Sequence, residues 1–319
     1  MIRWGILGNA WIARDFMIPA MQNMRNGELA AIASRKEPPA DLAPQARHYS
    51  SYEALLSDPE IDAVYIPVPN ALHTKWSIEA MRSGKHVLCE KPMVCTAHEI
   101  QQIMEVSGET GKHCMEAFMY RLNVRFNLLR SVLEHENTGK IAAMQAAFGY
   151  LLNWASPARE DRLLGGGCLY DIGCYCVDSM NLLMAHQGAI FEEASASFMM
   201  KGGVDHQCAC SIRYSDGTLG NFLCWFNAPL KQYMTLVCEN GVVTVEGPYE
   251  SGPAKVTLLQ DGEEKVFEAP AGADPYKLEA EAFADLVMGK GPAMITPEES
   301  LRNAALMDAL LAYRPAAGE

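Results

Sequence analysis

Apolar positions in the first third of the chain fall into short blocks divided by stretches with helical spacing. Ile2 to Leu7, Leu29 to Ser34, Ala63 to Pro67, His86 to Cys89 and His113 to Ala117 predict buried strands. Tyr52 to Leu56 and Trp76 to Ser83 predict two of the helices between them. Strands alternating with helices imply a doubly wound parallel sheet, in which ligands bind at the carboxyl ends of the strands. From about Gly139 the rhythm changes. Ile141 to Leu151, Ile190 to Met199, Asp205 to Tyr214, Gly220 to Phe226, Gln232 to Glu239 and Val242 to Gly247 predict successive strands. Tight-turn signals at Ser215-Asp216-Gly217, Glu239-Asn240-Gly241 and Asp261-Gly262 make this second sheet mostly antiparallel and open. Helices follow at Pro275 to Met288 and Pro297 to Tyr313. The expected fold class is therefore α/β. A nucleotide-binding domain over 1–120 is joined to an α+β substrate-binding and oligomerisation domain over 121–319, and a C-terminal helix returns to the first domain.

At 319 residues the chain suits two domains, and its 49% apolar content excludes disorder. A formal net charge of −13 argues against nucleic acid and against an anionic membrane surface, both of which need clustered Lys and Arg. Met1 to Gly5 leads straight into a strand without a signal-like region, and no window approaches the roughly 18 apolar residues of a membrane helix. Ten cysteines lack metal-knuckle spacing. The pairs Cys174/Cys176 and Cys208/Cys210 lie in apolar surroundings, so buried thiols in a reducing cytoplasm, with no metal site, are the expectation.

The chemistry-bearing residues cluster at predicted strand ends. Gly5-x-x-Gly8-x-Ala10-x-x-Ala13 follows the first strand; Gly8 and Ala13 fit a dinucleotide fingerprint, while Ala10 stands where a glycine is usual. Trp11 and Ile12 lie in the same loop. The second strand ends in Ser34-Arg35-Lys36 with no acid before Glu37. A hydroxyl, a guanidinium and an ammonium suit a ribose 2′-phosphate, so NADP(H) is preferred over NAD(H). The dull reading of Arg35 is stacking on adenine, which serves either cofactor. Pro69 and Asn70 end the third strand, and Asn70 either caps the next helix or turns its amide to the cleft. His73 opens that helix as a ribose contact or a surface residue. Glu90 and Lys91 end the fourth strand before Pro92; Glu90 bonds a ribose or caps backbone. Farther on, Gly165-Gly166-Gly167 precedes Asp171 and Tyr175, four residues apart and thus on one helical face. Trp11, Trp154, Trp225 and Phe226 are candidates for a cleft wall, with packing the competing role of each.

Gly5 to Gly8, Pro69-Asn70 with His73, Gly84 through Pro92, Met115 through Arg121 and Gly165 through Tyr175 together resemble the Gfo/Idh/MocA oxidoreductases. Tyrosine at 175 is similar to the branch of dihydrodiol dehydrogenases, NADP-dependent D-xylose dehydrogenases and glucose–fructose oxidoreductase. The resemblance implies a Rossmann domain, an open-faced second sheet and oxidation or reduction of a cyclic polyol. It also implies Lys91, Asp171 and Tyr175 as catalytic positions, and Gly8, Ala10, Ala13, Ser34, Arg35, Asn70 and Glu90 as cofactor positions. The chain departs from the branch at Leu122-Asn123-Val124, where a His-Pro pair is usual, and has no familiar sugar-binding pattern between Asn153 and Arg162.

A free tyrosine titrates near 10 and needs a nearby ammonium to act as a base at neutrality. Tyr175 is thus the expected acid/base, Lys91 polarises the substrate oxygen and tunes Tyr175, and Asp171 orients the lysine or a substrate hydroxyl. The alternative makes Lys91 the proton carrier and Tyr175 a binding group. Competing functions are a nucleotide-sugar ketoreductase, an oxidoreductase that retains its cofactor, and a sensor without turnover. The partners expected are a small polyol and a second copy of the chain, as a homodimer or homotetramer through the open sheet face.

Overall fold

The computed structural model describes residues 1–34, 43–153 and 156–316. The chain forms two compact units, Met1–Met119 with Ala273–Leu301, and Tyr120–Gly272 with the chain from Arg302 onward. In chain order the first contains β1 (Ile2–Leu7), α1 (Ile18–Gln22), β2 (Gly27–Ala33), β3 (Arg47–Tyr49), α2 (Tyr52–Leu56), β4 (Ala63–Ile66), α3 (His73–Arg82), β5 (His86–Glu90), α4 (Ala97–Thr110) and β6 (Cys114–Ala117). The strands are all parallel, in the order β3-β2-β1-β4-β5-β6. Trp4, Ile6, Val64, Tyr65, Val87 and Leu88 are buried, as a parallel sheet covered on both faces requires. β3 was not anticipated. It is three residues long and pairs only at the sheet edge, too short to leave a periodic signal.

The second unit contains α5 (Val124–His135), β7 (Ile141–Gly149), α6 (Pro157–Glu160), α7 (Cys174–His186), β8 (Phe191–Lys201), β9 (Val204–Tyr214), β10 (Leu219–Trp225), β11 (Lys231–Cys238), β12 (Gly241–Glu246), β13 (Ala254–Gln260) and β14 (Glu263–Ala269). Its sheet runs β14-β13-β12-β11-β7-β10-β9-β8 and is antiparallel except where β7 pairs parallel with β10. One face is covered by α5 and α7. The other presents Leu219, Leu223, Val237, Leu259 and Val266 as exposed apolar side chains. Two last helices complete the chain, α8 (Pro275–Val287) in the first unit and α9 (Pro297–Leu311). Phe283 of α8 packs on Trp4 with ring centres 5.5 Å apart. No helix among the described residues is long and apolar enough to cross a membrane. Cys95 is half-buried and the other nine cysteines are buried.

Candidate active site

Four adjacent strands of the first sheet bring the expected cofactor residues to one edge. Gly8 follows β1, Ser34 follows β2, Pro69 and Asn70 follow β4, and Glu90 ends β5 with Lys91 next in the chain. Strand order reverses between β1 and its neighbours β2 and β4, the point at which doubly wound sheets open a crevice. Gly8 has φ of 120°, and a Cβ there would lie 3.3 Å from the Tyr52 hydroxyl. Only glycine enters this conformation without strain. Its N–H donates to the Ala33 carbonyl at 2.8 Å, tying the ends of β1 and β2 together. Ala10 begins the next helical turn by accepting from Arg14 N at 3.1 Å, and Ala13 is fully buried. Ile12 is half-buried, whereas Trp11 is exposed and meets Phe16 edge-on at 5.7 Å. Ser34 is buried, its hydroxyl 3.3 Å from His48 Nε2. Arg35, Lys36 and Trp154 lie outside the described residues.

Two expectations change here. Asn70 does not cap α3: it starts a tight turn over Asn70–Leu72, and its carbonyl accepts from the His73 N–H. His73 is neither a surface residue nor a ribose contact. It is fully buried, with Nδ1 2.8 Å from the Pro92 carbonyl and Nε2 2.8 Å from the Val68 carbonyl. The ring lies between the loops that follow β4 and β5, and in its neutral form the single N–H donates to one of these two carbonyls. Burial pulls its pKa down to about 4, against the opposing pull of the two carbonyls.

Glu90 is buried and accepts from the Tyr65 hydroxyl and, at 3.2 Å, from Lys91 N. This favours the backbone-capping reading for at least one of its oxygens. Burial and the Glu90 charge push the Tyr65 phenol well above its ordinary value, so that phenol stays a donor. Lys91 is half-buried and joined to Pro92 by a cis peptide bond. The loop beyond it is pinned by Glu116, which accepts from Met93 N at 2.9 Å and from the Ser300 hydroxyl at 2.7 Å.

Asp171 and Tyr175 belong to the second unit. The glycine run before them serves close packing. Gly167 has φ of 119°, and a Cβ there would fall 2.2 Å from Asp205 Oδ1; a Cβ at Gly166 would fall 2.5 Å from the Arg159 carbonyl. Leu169–Gly173 forms a wide π-type turn that continues into α7, so Asp171 sits in the turn and Tyr175 in the first turn of the helix. Asp205 accepts from Leu169 N at 2.8 Å and ion-pairs with Arg314 at 2.7 Å, while Arg314 also donates to the Gly166 carbonyl at 3.1 Å. This fastens the turn from below.

Asp171 accepts from the Tyr150 hydroxyl at 2.7 Å and from Arg159 Nε at 2.9 Å. A guanidinium and a phenol thus fix the orientation of this carboxylate. Arg159 is held above its ordinary pKa by Asp171 and Tyr150, against the cost of burial. Tyr175 is half-buried against Phe148, Tyr249 and Tyr120, at ring-centre distances of 5.4, 5.4 and 5.7 Å. Phe226 is buried against Tyr150 and His206, and Trp225 donates to the Pro229 carbonyl at 3.1 Å. One turn along from Tyr175, Asp178 takes hydrogen bonds from the Tyr120 hydroxyl, from Arg121 at 2.9 and 2.5 Å, and from Asn303 at 2.6 Å. Sequence reading missed Tyr150, Arg159, Asp205, Arg314 and this network. Arg159 does lie in the segment between Asn153 and Arg162, flagged only for lacking a familiar pattern.

Residues 2–118 match the oxidoreductase family with an NAD-binding Rossmann fold, and residues 126–244 match the GFO/IDH/MocA C-terminal domain. The D-xylose 1-dehydrogenase (NADP(+)) of Haloferax volcanii is 33% identical over 317 residues, covering 96% of this chain and 95% of its own. The trans-1,2-dihydrobenzene-1,2-diol dehydrogenase of Bos taurus is 30% identical over 84% of this chain and 80% of its own. Among solved structures, a 3-ketoreductase from Actinomadura kijaniata in complex with NADP and TDP-benzene superposes with a TM-score of 0.89 at 26% identity, covering 98% of this chain and 97% of that one. Two structures of that ketoreductase with a lysine or a tyrosine replaced superpose with TM-scores of 0.86 and 0.88.

Proposed function

The chain belongs to the GFO/IDH/MocA family of oxidoreductases, and from that premise we propose that it transfers a hydride between NADP(H) and the CH–OH or C=O carbon of a sugar or cyclic diol. What carries this reading is one combination: Lys91 at the carboxyl edge of a dinucleotide-type sheet, and Tyr175 a turn beyond an arginine-anchored Asp171. The lysine and tyrosine replaced in the Actinomadura ketoreductase are separated by the same number of residues as Lys91 and Tyr175. That relative's ligand and the name of the Haloferax relative both favour NADP.

The nucleotide fits the edge on structural grounds, since Gly8 keeps its loop free of a side chain and the strand order reverses beside it. Gly8, Ala10, Ile12 and Ala13 would line the phosphates, Trp11 and Asn70 would flank the loop, and Ser34, Arg35 and Lys36 would meet the 2′-phosphate. When bound, the nicotinamide supplies or accepts the hydride. Tyr175 holds the proton at the substrate oxygen, giving it up in reduction and taking it in oxidation. The Lys91 ammonium polarises that oxygen and stabilises the phenolate of Tyr175. Asp171, fixed by Arg159 and Tyr150, orients a substrate hydroxyl.

The test is a screen of pentoses, hexoses, anhydro-sugars and cyclic diols with NADP and NAD, following reduced nicotinamide. Turnover of a polyol is expected, and Tyr175→Phe should lower kcat by about a hundred- to ten-thousand-fold. If Tyr175→Phe keeps most turnover while Lys91→Met abolishes it, the proton carrier is Lys91. Arg35→Ala should lower the NADP-over-NAD ratio of kcat/KM by about ten- to a hundred-fold, the worth of a charge-assisted bond. A strong NAD preference in the unmodified chain refutes the phosphate argument.

The TDP-bearing neighbour favours a second reading, a nucleotide-linked sugar ketoreductase. Against it, Arg121, Arg125, Arg159, Arg213 and Arg314 of the second unit each already ion-pair with a carboxylate. Silence with every free polyol, followed by turnover of a nucleotide-linked ketosugar, would select that reading. The exposed apolar side chains of the second sheet support assembly of a homodimer or homotetramer through that face.

A further inference from the structure

Beneath the turn that carries Asp171 lies a group of buried sulfurs with no part in the proposed chemistry. Cys208 on β9 and Cys224 on β10 are direct cross-strand partners, and their Sγ atoms are 2.9 Å apart. Cys168 Sγ lies 3.6 Å from Cys224, and Cys210 Sγ lies 3.7 Å from Cys208. Residues directly opposite in an antiparallel pair have Cα atoms about 4.5–5.5 Å apart, inside the range that a disulfide spans. The facing sulfurs need about 0.9 Å of further approach to reach bonding distance.

A metal ion fits less well. Two thiolates on one tetrahedral ion with bonds of about 2.3 Å sit roughly 3.8 Å apart, so 2.9 Å is too close. Three thiolates on a divalent ion would also bury a net negative charge, and the nearby cation, Arg314, is already paired with Asp205. A disulfide buries no charge.

We propose that Cys208 and Cys224 form a modification site, a cross-strand thiol pair that a small hydroperoxide oxidises to a disulfide. One thiol loses its proton, and the sulfur attacks the peroxide O–O bond, giving a sulfenic acid and the reduced alcohol or water. The second sulfur then displaces the sulfenic oxygen, which leaves as water. The two thiols lose two electrons in all, and the O–O bond gains them. The partners are only 2% and 0% exposed, which restricts the oxidant to a small uncharged molecule.

The native full chain is treated with hydrogen peroxide, alkylated in denaturant and mapped with trypsin without reduction. Cleavage after Arg213 separates Cys208 from Cys224. The expected product is a linked peptide pair lighter by two hydrogens, released by a dithiol reductant. The link should vanish in Cys208→Ser and Cys224→Ser and persist in Cys210→Ser. Full alkylation of both cysteines after peroxide, or a link that moves to Cys210 or Cys168, overturns the proposal. If the serine variants fail to fold, fragmentation of the linked peptide from the unmodified chain still identifies the bonded pair.

Discussion

Helix α7 of the second unit and helix α8 of the first each bury one carboxylate completely, and the two are handled in opposite ways. Asp178 on α7 is met by a guanidinium, a phenol and an amide. Glu279 on α8 has neither oxygen hydrogen-bonded. Burial, reinforced by the charges of Glu90 and Asp274, pushes Glu279 well above the carboxylate range. One region admits a charge by importing a cation; the other removes the charge by keeping its proton. The difference has a physical consequence. A buried ion pair fixes geometry, which suits the helix that carries Tyr175, whereas a neutral acid fixes little and makes stability depend on pH.

The widest gap between the two regions should appear on truncation. Asp178→Ala strands the Arg121 guanidinium in the core and should cost about 3–5 kcal/mol in urea unfolding. Replacing both partners, Arg121→Met with Asp178→Leu, should cost much less; an equal loss would mean that packing, not charge, is what Asp178 supplies. Next comes His73, another buried titratable group of the first unit. Its unfolded ring takes a proton near 6.5 and its folded ring only at about 4, so the unfolded chain binds more protons between those values. Stability should therefore hold above pH 6.5 and fall as pH drops toward 4, by up to about 3 kcal/mol, and His73→Gln should flatten that slope in melting curves. Taken over a single pH unit above the unfolded value, the effect at Glu279 is the smallest of the three, and it has the opposite sign. The folded acid keeps its proton above the unfolded value of about 4.3, so its contribution is present below that pH and lost as pH rises, at up to about 1.4 kcal/mol per pH unit. Glu279→Gln should remove this slope, and an unchanged slope would show that Glu279 is ionised with an unseen partner.

The two regions also differ in how much of them could be read in advance. Strands β1, β2, β4, β5 and β6 are legible because a strand buried on both faces is a nearly unbroken apolar run. In the second sheet, β13 and β14 were not read, although the Asp261-Gly262 turn joining them was. β14 is exposed over most of its length and carries three acids and a lysine among its seven residues, so no buried face marks it. The parallel β7–β10 pair was also unread, because strand direction follows from how the chain crosses over rather than from any residue in the strand. Lys91, Asp171 and Tyr175 stand in motifs that a linear reading can find. Arg159 and Tyr150 do not, since their partner Asp171 is reached only by folding.

Sequence alone determined the fold class, the oxidoreductase resemblance and the residue types available for proton transfer, because periodicity, turn chemistry and short motifs are local properties of a chain. Tertiary structure alone decided that His73 is buried between two loops and not a ribose contact, that Asp171 has an arginine and a tyrosine as neighbours, and that Cys208 faces Cys224. These are statements about desolvation and distance between residues far apart in the chain. Both quantities exist only after strands have paired and water has left, and no linear pattern encodes them.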